Sequence, residues 1–205
     1  MRVTVIDYKA GNLTSVLKAL RHLGAEPAVT DGDLALVESA ERIVLPGVGH
    51  FAATERLDAT GLTTAVRAAI ARGVPFLGIC VGMQWLYAGS SEAPNQPGLA
   101  YFAEHCARFP GGAEKVPHVG WNSLEVRSGS RLLYSVEPGE FVYFTHSYKA
   151  PVTAATAATT RYIEPFAAAV ERANVMGVQF HPEKSGATGL KILSNFLSWK
   201  GQGTA

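Results

Sequence analysis

The sequence predicts an α/β protein built on a doubly wound, mostly parallel sheet, with an antiparallel extension in its second half. Three observations lead there. β-rich runs alternate with helical patterns through the first half of the chain, the signature of strand–helix–strand units. The run 75–79 (PFLGI) is apolar throughout, as a parallel strand buried on both faces must be. From about residue 107 to 180 the helical patterns stop, and short strands and turns take over.

Residues 2–7 (RVTVID) form the first β-rich run. A loop with Gly11 follows. Leu13, Val16, Leu17 and Leu20 then share one face of a helix over about 12–23, with Asn12 placed to cap its start and Gly24 its end. Residues 27–30 make a short second strand. Residues 42–45 (RIVL) make a third, closed by Pro46-Gly47-Val48-Gly49. A helix over 62–72 ends at Gly73, the apolar run 75–79 is the fourth strand, and 81–87 reads as helical. In the second half, strands are expected at 123–127, 140–145, 152–160, 165–171 and 174–180, before a last helix at 188–200. The Ala/Thr stretch 154–160 reads as a tolerant surface strand. No internal repeat or linker interrupts the 205 residues, so one domain over 1–205 is expected.

Composition narrows the function. Lys and Arg number 18 against 17 Asp and Glu, for a net charge of +1, and no basic run stands out. That argues against nucleic acid as a partner, which needs concentrated positive charge. No apolar run approaches the roughly 20 residues of a membrane span, and the first residues read as a strand rather than a leader. Two cysteines cannot make a disulfide framework; a reducing cytoplasm and a chemical role for one of them are expected.

That cysteine is Cys80. Gly78-Ile79-Cys80-Val81-Gly82 lies between the fourth strand and the following helix, the setting of a nucleophile elbow. Flanking glycines permit a sharp turn, and a helix N-terminus favours a thiolate. A glycine-rich turn around a structural cysteine would look the same in isolation; the strand before and the helix after favour catalysis. Cys106 has no such setting and reads as an inert thiol. Of six histidines, His181 alone brings a mechanism. It ends an apolar strand and precedes Pro182 and Glu183. In an extended segment, side chains at i and i+2 share a side. Glu183 can then hold one ring nitrogen while the other faces a thiol. His22 reads as exposed on its helix, and His50, His105 and His118 as loop residues without a nameable partner. No histidine pair has metal-ligand spacing, so neither metal nor cofactor is predicted. An oxyanion hole needs backbone donors. Val81, after the nucleophile, supplies one; the second comes from Pro46-Gly47-Val48-Gly49, unless that segment only ends its strand.

Taken together, P-G-V-G, G-I-C-V-G-M-Q and H-P-E-K-S, in this order and spacing, resemble the class I (triad) glutamine amidotransferases over nearly the whole chain. Within that family the likeness is greatest to the glutaminase subunits of imidazole glycerol phosphate synthase. It rests on Val5-Ile6-Asp7-Tyr8 with Gly11-Asn12-Leu13, on Pro117-His118-Val119-Gly120-Trp121-Asn122, on Tyr143-Phe144-Thr145-His146-Ser147-Tyr148, and on Lys184-Ser185. The resemblance implies a class I amidotransferase fold, a Cys80–His181–Glu183 triad and the Gly47–Val48 peptide as a movable oxyanion donor. It implies Gln84, Glu92, His146, Ser147 and Tyr148 around bound glutamine, and Asn12, Trp121, Tyr143 and Lys184 on the face that meets a partner. That partner would be a (β/α)8-barrel cyclase subunit of histidine biosynthesis, forming a heterodimer. Lys9 stands where the family usually has glycine, and Trp85 where it commonly has leucine. Two alternatives remain: the glutaminase of another synthase, of the pyridoxal phosphate or anthranilate type, and a non-catalytic module on the same fold.

Overall fold

The computed structural model describes residues 1–9, 13–112 and 114–199. The first half runs β1 (Arg2–Ile6), α1 (Thr14–His22), β2 (Glu26–Thr30), α2 (Leu34–Glu38), β3 (Ile43–Gly47), α3 (Glu55–Ala59), α4 (Leu62–Ala71), β4 (Phe76–Cys80) and α5 (Val81–Gln84). The second half holds β5 (Gly89–Ser90), β6 (His105–Arg108), β7 (His118–Ser123), β8 (Glu125–Val126), β9 (Phe141–His146), β10 (Tyr148–Lys149), β11 (Thr156–Tyr162), β12 (Glu164–Arg172), β13 (Val175–Val178) and α6 (Gly186–Ser198).

Eight strands form the main sheet in the order β2-β1-β3-β4-β13-β12-β11-β8. The contacts from β2 through β13 are parallel, and those from β13 outward through β12, β11 and β8 are antiparallel. This is the doubly wound sheet with an antiparallel extension. The return of the chain to the sheet centre as β13 matters most for function. Register pairs Gly47 with Cys80 on one side of β4, and Val178 with Ile79 on the other. The ends of β3, β4 and β13 therefore meet, at the carboxyl edge where open α/β sheets place their chemistry.

β3 and β4 are buried along their whole length, and Leu45, Phe76, Leu77 and Ile79 join the core between the helical layers. α1 buries Val16, Ala19 and Leu20; Gly24, with φ +79°, takes the left-handed turn that ends it. The proposed Asn12 cap lies outside the described residues. The last helix, expected over 188–200, starts at Gly186 and stops at Ser198, where Trp199 turns extended.

Several expectations are corrected. α2 and α3, with a 3₁₀ turn at Phe51–Thr54, lie where the sequence pattern assigned no element. They are too short to show a helical period, though Asp33 does cap α2 by accepting the Ala35 N–H at 3.0 Å. α5 stops after one turn. The strand expected at 123–127 is two strands, β7 and β8, in different sheets. The small sheet β10-β6-β5 was not foreseen. The stretch 154–160 is not a surface strand. β11 lies between β12 and β8, and Ala157, Ala158, Thr156 and Thr160 are buried. Its hydroxyls are satisfied locally: Thr160 donates to the Ser123 carbonyl at 2.9 Å, and Thr156 accepts the Thr153 N–H at 2.8 Å. Paired polar groups let a stretch of middling hydropathy enter an interior.

Candidate active site

Cys80 ends β4 with φ +53° and ψ −109°. A residue with a Cβ rarely holds a positive φ, and such strain gathers at functional turns. The two flanking glycines are what make the turn possible. A Cβ on Gly82 would lie 1.8 Å from the Leu45 carbonyl oxygen, and one on Gly78 would lie 2.4 Å from that of Gly82. The elbow is thus pressed against β3, and its thiol faces a cavity of about 220 Å³. The Sγ sits 3.9 Å from the Thr145 carbonyl oxygen and accepts the Gln179 Nε2–H at 3.6 Å.

His181 follows β13, and its Nδ1 lies 2.9 Å from Glu183 Oε1. Both side chains are almost fully buried. The route differs from the extended geometry expected. His181 is extended, with φ −101° and ψ +94°, but Pro182–Lys184 is a 3₁₀ turn that carries the carboxylate back to the ring. Proline at the start of a helical turn loses no hydrogen bond, which explains the turn. The His181 Nε2 is buried and has no hydrogen-bond partner among the described residues. Burial pulls the imidazole pKa down, but interaction with Cys80 and Glu183 outweighs it and raises the value to about 10. Cys106 is the contrary case: buried, it donates to the Gln84 carbonyl at 3.9 Å, and burial pushes its thiol pKa far up. An inert thiol is what such a site produces.

The cavity is lined by Val48, Val81, Gln84, Glu92 and the strand segment 145–148 beside Cys80. Gln84 donates both amide protons, to the Tyr148 carbonyl at 3.0 Å and to Gln179 Oε1 at 3.1 Å. Glu92 Oε2 accepts the Phe51 N–H at 2.8 Å. Val48 and Val81 reach the cavity from the ends of β3 and β4; Gly47 stands behind them, buried beside Cys80 in the sheet. Gln179 was missed by sequence reasoning. It lies two residues before His181, the spacing that places side chains on one side of a strand, and that signal was there to use.

His118 and His146 are also corrected from, or refined beyond, their expected places. His118 is in β7, opposite His146 in β9, and both are buried. His146 Nδ1 lies 2.8 Å from the Tyr148 carbonyl oxygen, which can only accept, so Nδ1 carries the proton and Nε2 is an acceptor. The His118 Nδ1, 3.1 Å away, must then donate, and its Nε2 accepts from Asn122 at 3.3 Å. Burial lowers the His118 pKa to about 4. Burial above all lowers that of His146 to about 3, against the Tyr148 hydrogen bond and with the positive charges of His118 and His181. Both ring nitrogens of His146 are committed, so its side chain shapes the cavity wall without offering a polar atom to a ligand. His50 caps the 3₁₀ turn by accepting the Ala52 N–H at 3.1 Å, and His105 is exposed in β6.

The residues expected at a partner face do gather, apart from Asn12, which lies outside the described residues. Trp121 is exposed, and its ring meets that of Tyr143 edge-on at 6.1 Å. Lys184 Nζ lies 6.0 Å from the Tyr143 ring centre, within cation–π reach. Lys9 takes the positive φ that glycine would take easily, +63°, and is tied to Asp7 and Asp31 at 3.2 and 2.9 Å. Among the described residues no group of three or more histidine, cysteine or acidic side chains is placed to hold a metal ion, and no helix is long and apolar enough to cross a membrane.

The family described as glutamine amidotransferase class-I matches residues 4–199. The imidazole glycerol phosphate synthase subunit HisH of Deinococcus radiodurans is 46% identical over 198 residues, covering 95% of this chain and 92% of its own. The HisH subunit of Methanosarcina acetivorans is 44% identical, covering 96% and 98%. Among solved structures, a glutamine amidotransferase superposes with a TM-score of 0.74 at 20% identity, covering 95% of this chain and 96% of its own. PurLQS from Thermotoga maritima superposes with a TM-score of 0.72 at 22% identity, covering 96% and 97%. At such identities the structural likeness speaks for the fold.

Proposed function

Since the chain belongs to the class-I glutamine amidotransferases, and within them to the HisH subunits of imidazole glycerol phosphate synthase, we propose that it hydrolyses glutamine through Cys80, His181 and Glu183 and hands the ammonia to a cyclase subunit in histidine biosynthesis. The observation that carries this reading is the strained elbow at Cys80, opening on a cavity walled by Gln84 and Glu92 and coupled to the His181–Glu183 pair.

The Cys80 thiolate attacks the side-chain carbonyl carbon of glutamine. Val81 and Val48 offer backbone N–H groups to the oxyanion of the tetrahedral intermediate. When the C–N bond breaks, the imidazolium of His181 gives its proton to the departing ammonia, a role its raised pKa suits. Water then adds to the γ-glutamyl thioester, His181 takes a proton from it, and the C–S bond breaks to release glutamate. Glu183 keeps the ring oriented and stabilises its charge. Gln84 and Glu92 keep their Oε1 oxygens without hydrogen bonds among the described residues, ready for the amino end of the substrate.

Ammonia released into neutral water becomes ammonium and loses its nucleophilic pair. The reaction is productive when a partner caps the cavity. Trp121, Tyr143 and Lys184 form the face for that contact, and a (β/α)8-barrel cyclase subunit, in a heterodimer in the reducing cytoplasm, is the partner proposed. In the complex the ammonia would be joined to a phosphoribulosyl formimino-aminoimidazole-carboxamide nucleotide, giving imidazole glycerol phosphate and an aminoimidazole carboxamide ribotide.

A glutaminase assay with and without the cyclase tests this. Weak hydrolysis alone and strong stimulation in the complex are expected, with Cys80→Ala lowering kcat by about 10⁴-fold or more. Glutamine hydrolysis by Cys80→Ala at the wild-type rate would sink the catalytic assignment, and full activity of the isolated chain, unchanged by the cyclase, would sink the partnership.

A further inference from the structure

Tyr8 has no part in the reaction just described, yet its hydroxyl sits against that reaction's backbone. The side chain is 2% exposed, and its hydroxyl has no hydrogen-bond partner among the described residues. A Cβ placed on Gly47 would lie 2.0 Å from that oxygen, so the hydroxyl rests against the α-carbon of Gly47, the register partner of Cys80. Burial first, and then the charge of Cys80, raise the phenol pKa well above its usual range. The hydroxyl is therefore neutral and able to donate.

An unpaired buried hydroxyl in a native structure calls for an explanation, and one explanation is a partner that arrives in another state. The ring is buried and the main chain on either side of it is held in place. The Asp7 N–H before it is bonded to the Thr30 carbonyl at 2.7 Å, and Lys9 after it is tied to Asp7 and Asp31. The partner must come to Tyr8. The backbone best able to do so is the segment from Gly47 to Gly49, where neither glycine carries a side chain to hold it and Gly49 has φ +90°. In a trans peptide the N–H and C=O point opposite ways. Turning the Val48 N–H towards an oxyanion at Cys80 turns the Gly47 carbonyl away from it.

We propose that Tyr8 is a positioning residue: its hydroxyl donates to the Gly47 carbonyl when the Val48 N–H faces the oxyanion, holding that peptide in its reactive orientation. This inference rests on the glutaminase reading above. It also accounts for glycine at position 47, since any side chain there would occupy the place of the hydroxyl.

The test is Tyr8→Phe in the complex with the cyclase, which removes one oxygen that has no partner in the resting structure. We expect kcat for glutamine hydrolysis to fall by about tenfold to a hundredfold, less than for loss of a direct oxyanion donor. KM for glutamine and Tm should hardly change. Alkylation of Cys80 by iodoacetamide supplies the discriminating readout. There the sulfur displaces iodide at a CH₂ carbon and no oxyanion forms, so the alkylation rate should stay within about twofold of wild type. An unchanged kcat would overturn the proposal. So would a parallel fall in kcat and alkylation, which would make Tyr8 a group acting on the sulfur. If wild type itself released no Cys80-dependent ammonia, the glutaminase reading would fall and this inference with it, a result recognisable before the variant is made.

Discussion

Two buried histidine sites lie close together in this molecule and are built to opposite ends. His181, after β13, has its pKa raised to about 10; His118 and His146, on β7 and β9, have theirs lowered to about 4 and about 3. Burial acts downward on all three. The difference lies in the partners. His181 faces a carboxylate and a sulfur, both able to carry negative charge. The other pair faces a carbonyl, an amide and each other; of these only the Tyr148 carbonyl favours a second proton, on His146, and burial outweighs it. Desolvation thus sets the default, and the sign of the neighbouring charge decides whether a buried ring is a proton carrier or a neutral strut. The two sites also respond to pH in opposite directions. His181 has a folded pKa above its unfolded value, so its stabilisation is complete below about pH 6.5 and is lost as pH rises towards 10. His118 and His146 have folded values below it, so theirs is complete above about pH 6.5 and is lost as pH falls through 4 and 3.

The largest expected effect comes from making the first site resemble the second. Glu183→Gln keeps the shape and removes the charge. The amide can present its NH₂ to the ring and select the wrong tautomer, and a change of this kind can lower kcat by about 10³–10⁴-fold. The His181 titration midpoint, followed by NMR, should also move down from about 10. A midpoint that stayed in place while activity fell would assign the raised pKa to Cys80 alone, and the carboxylate would not be what separates the two sites.

The next effect belongs to the neutral pair. A histidine kept neutral binds fewer protons folded than unfolded, so acid favours unfolding. From its lowered pKa, His118 alone should remove about 2–3 kcal/mol of stability between pH 7 and 4.5. His118→Phe keeps the ring stacked between Phe144 and Tyr162, now at 4.8 and 4.0 Å between centroids. The variant should lose about 1–3 kcal/mol at pH 7, because the His146 Nε2 loses its donor, yet its stability should fall less steeply in acid. Urea unfolding of both proteins at the two pH values measures this; equal acid slopes would mean that the pair is not held neutral by the fold.

The same contrast explains what could be read from the sequence. His181 and Glu183 are two residues apart, and Cys80 stands between glycines at a strand-to-helix junction, so local spacing was enough to find them. The apolar run at β4 and the alternation before it likewise carry the parallel half of the sheet in local pattern. His118 and His146 are 28 residues apart and meet only through the pairing of β7 with β9. Nothing near either residue announces the other. β11 was misplaced for a similar reason. Its Ala and Thr side chains look tolerant in sequence, and their burial depends on β8 and β12 closing over them. Sequence pattern exposes sites made by neighbours in the chain, and hides those made by strand pairing at a distance.

The smallest effect tests how far the neutral pair depends on its outer end. Asn122 reaches His118 Nε2 at 3.3 Å and also donates to the Arg161 carbonyl at 3.1 Å. It is only half-buried, so water can take its place once the side chain is gone. Asn122→Ala should therefore cost only about 0.5–1 kcal/mol at pH 7. Because burial is the cause of the lowered His118 pKa, the acid slope of this variant should match that of wild type, unlike the slope of His118→Phe. If Asn122→Ala flattened the slope instead, the hydrogen-bonded string rather than burial would be what keeps the two rings neutral, and the site would be closer in kind to His181, where a specific partner sets the charge.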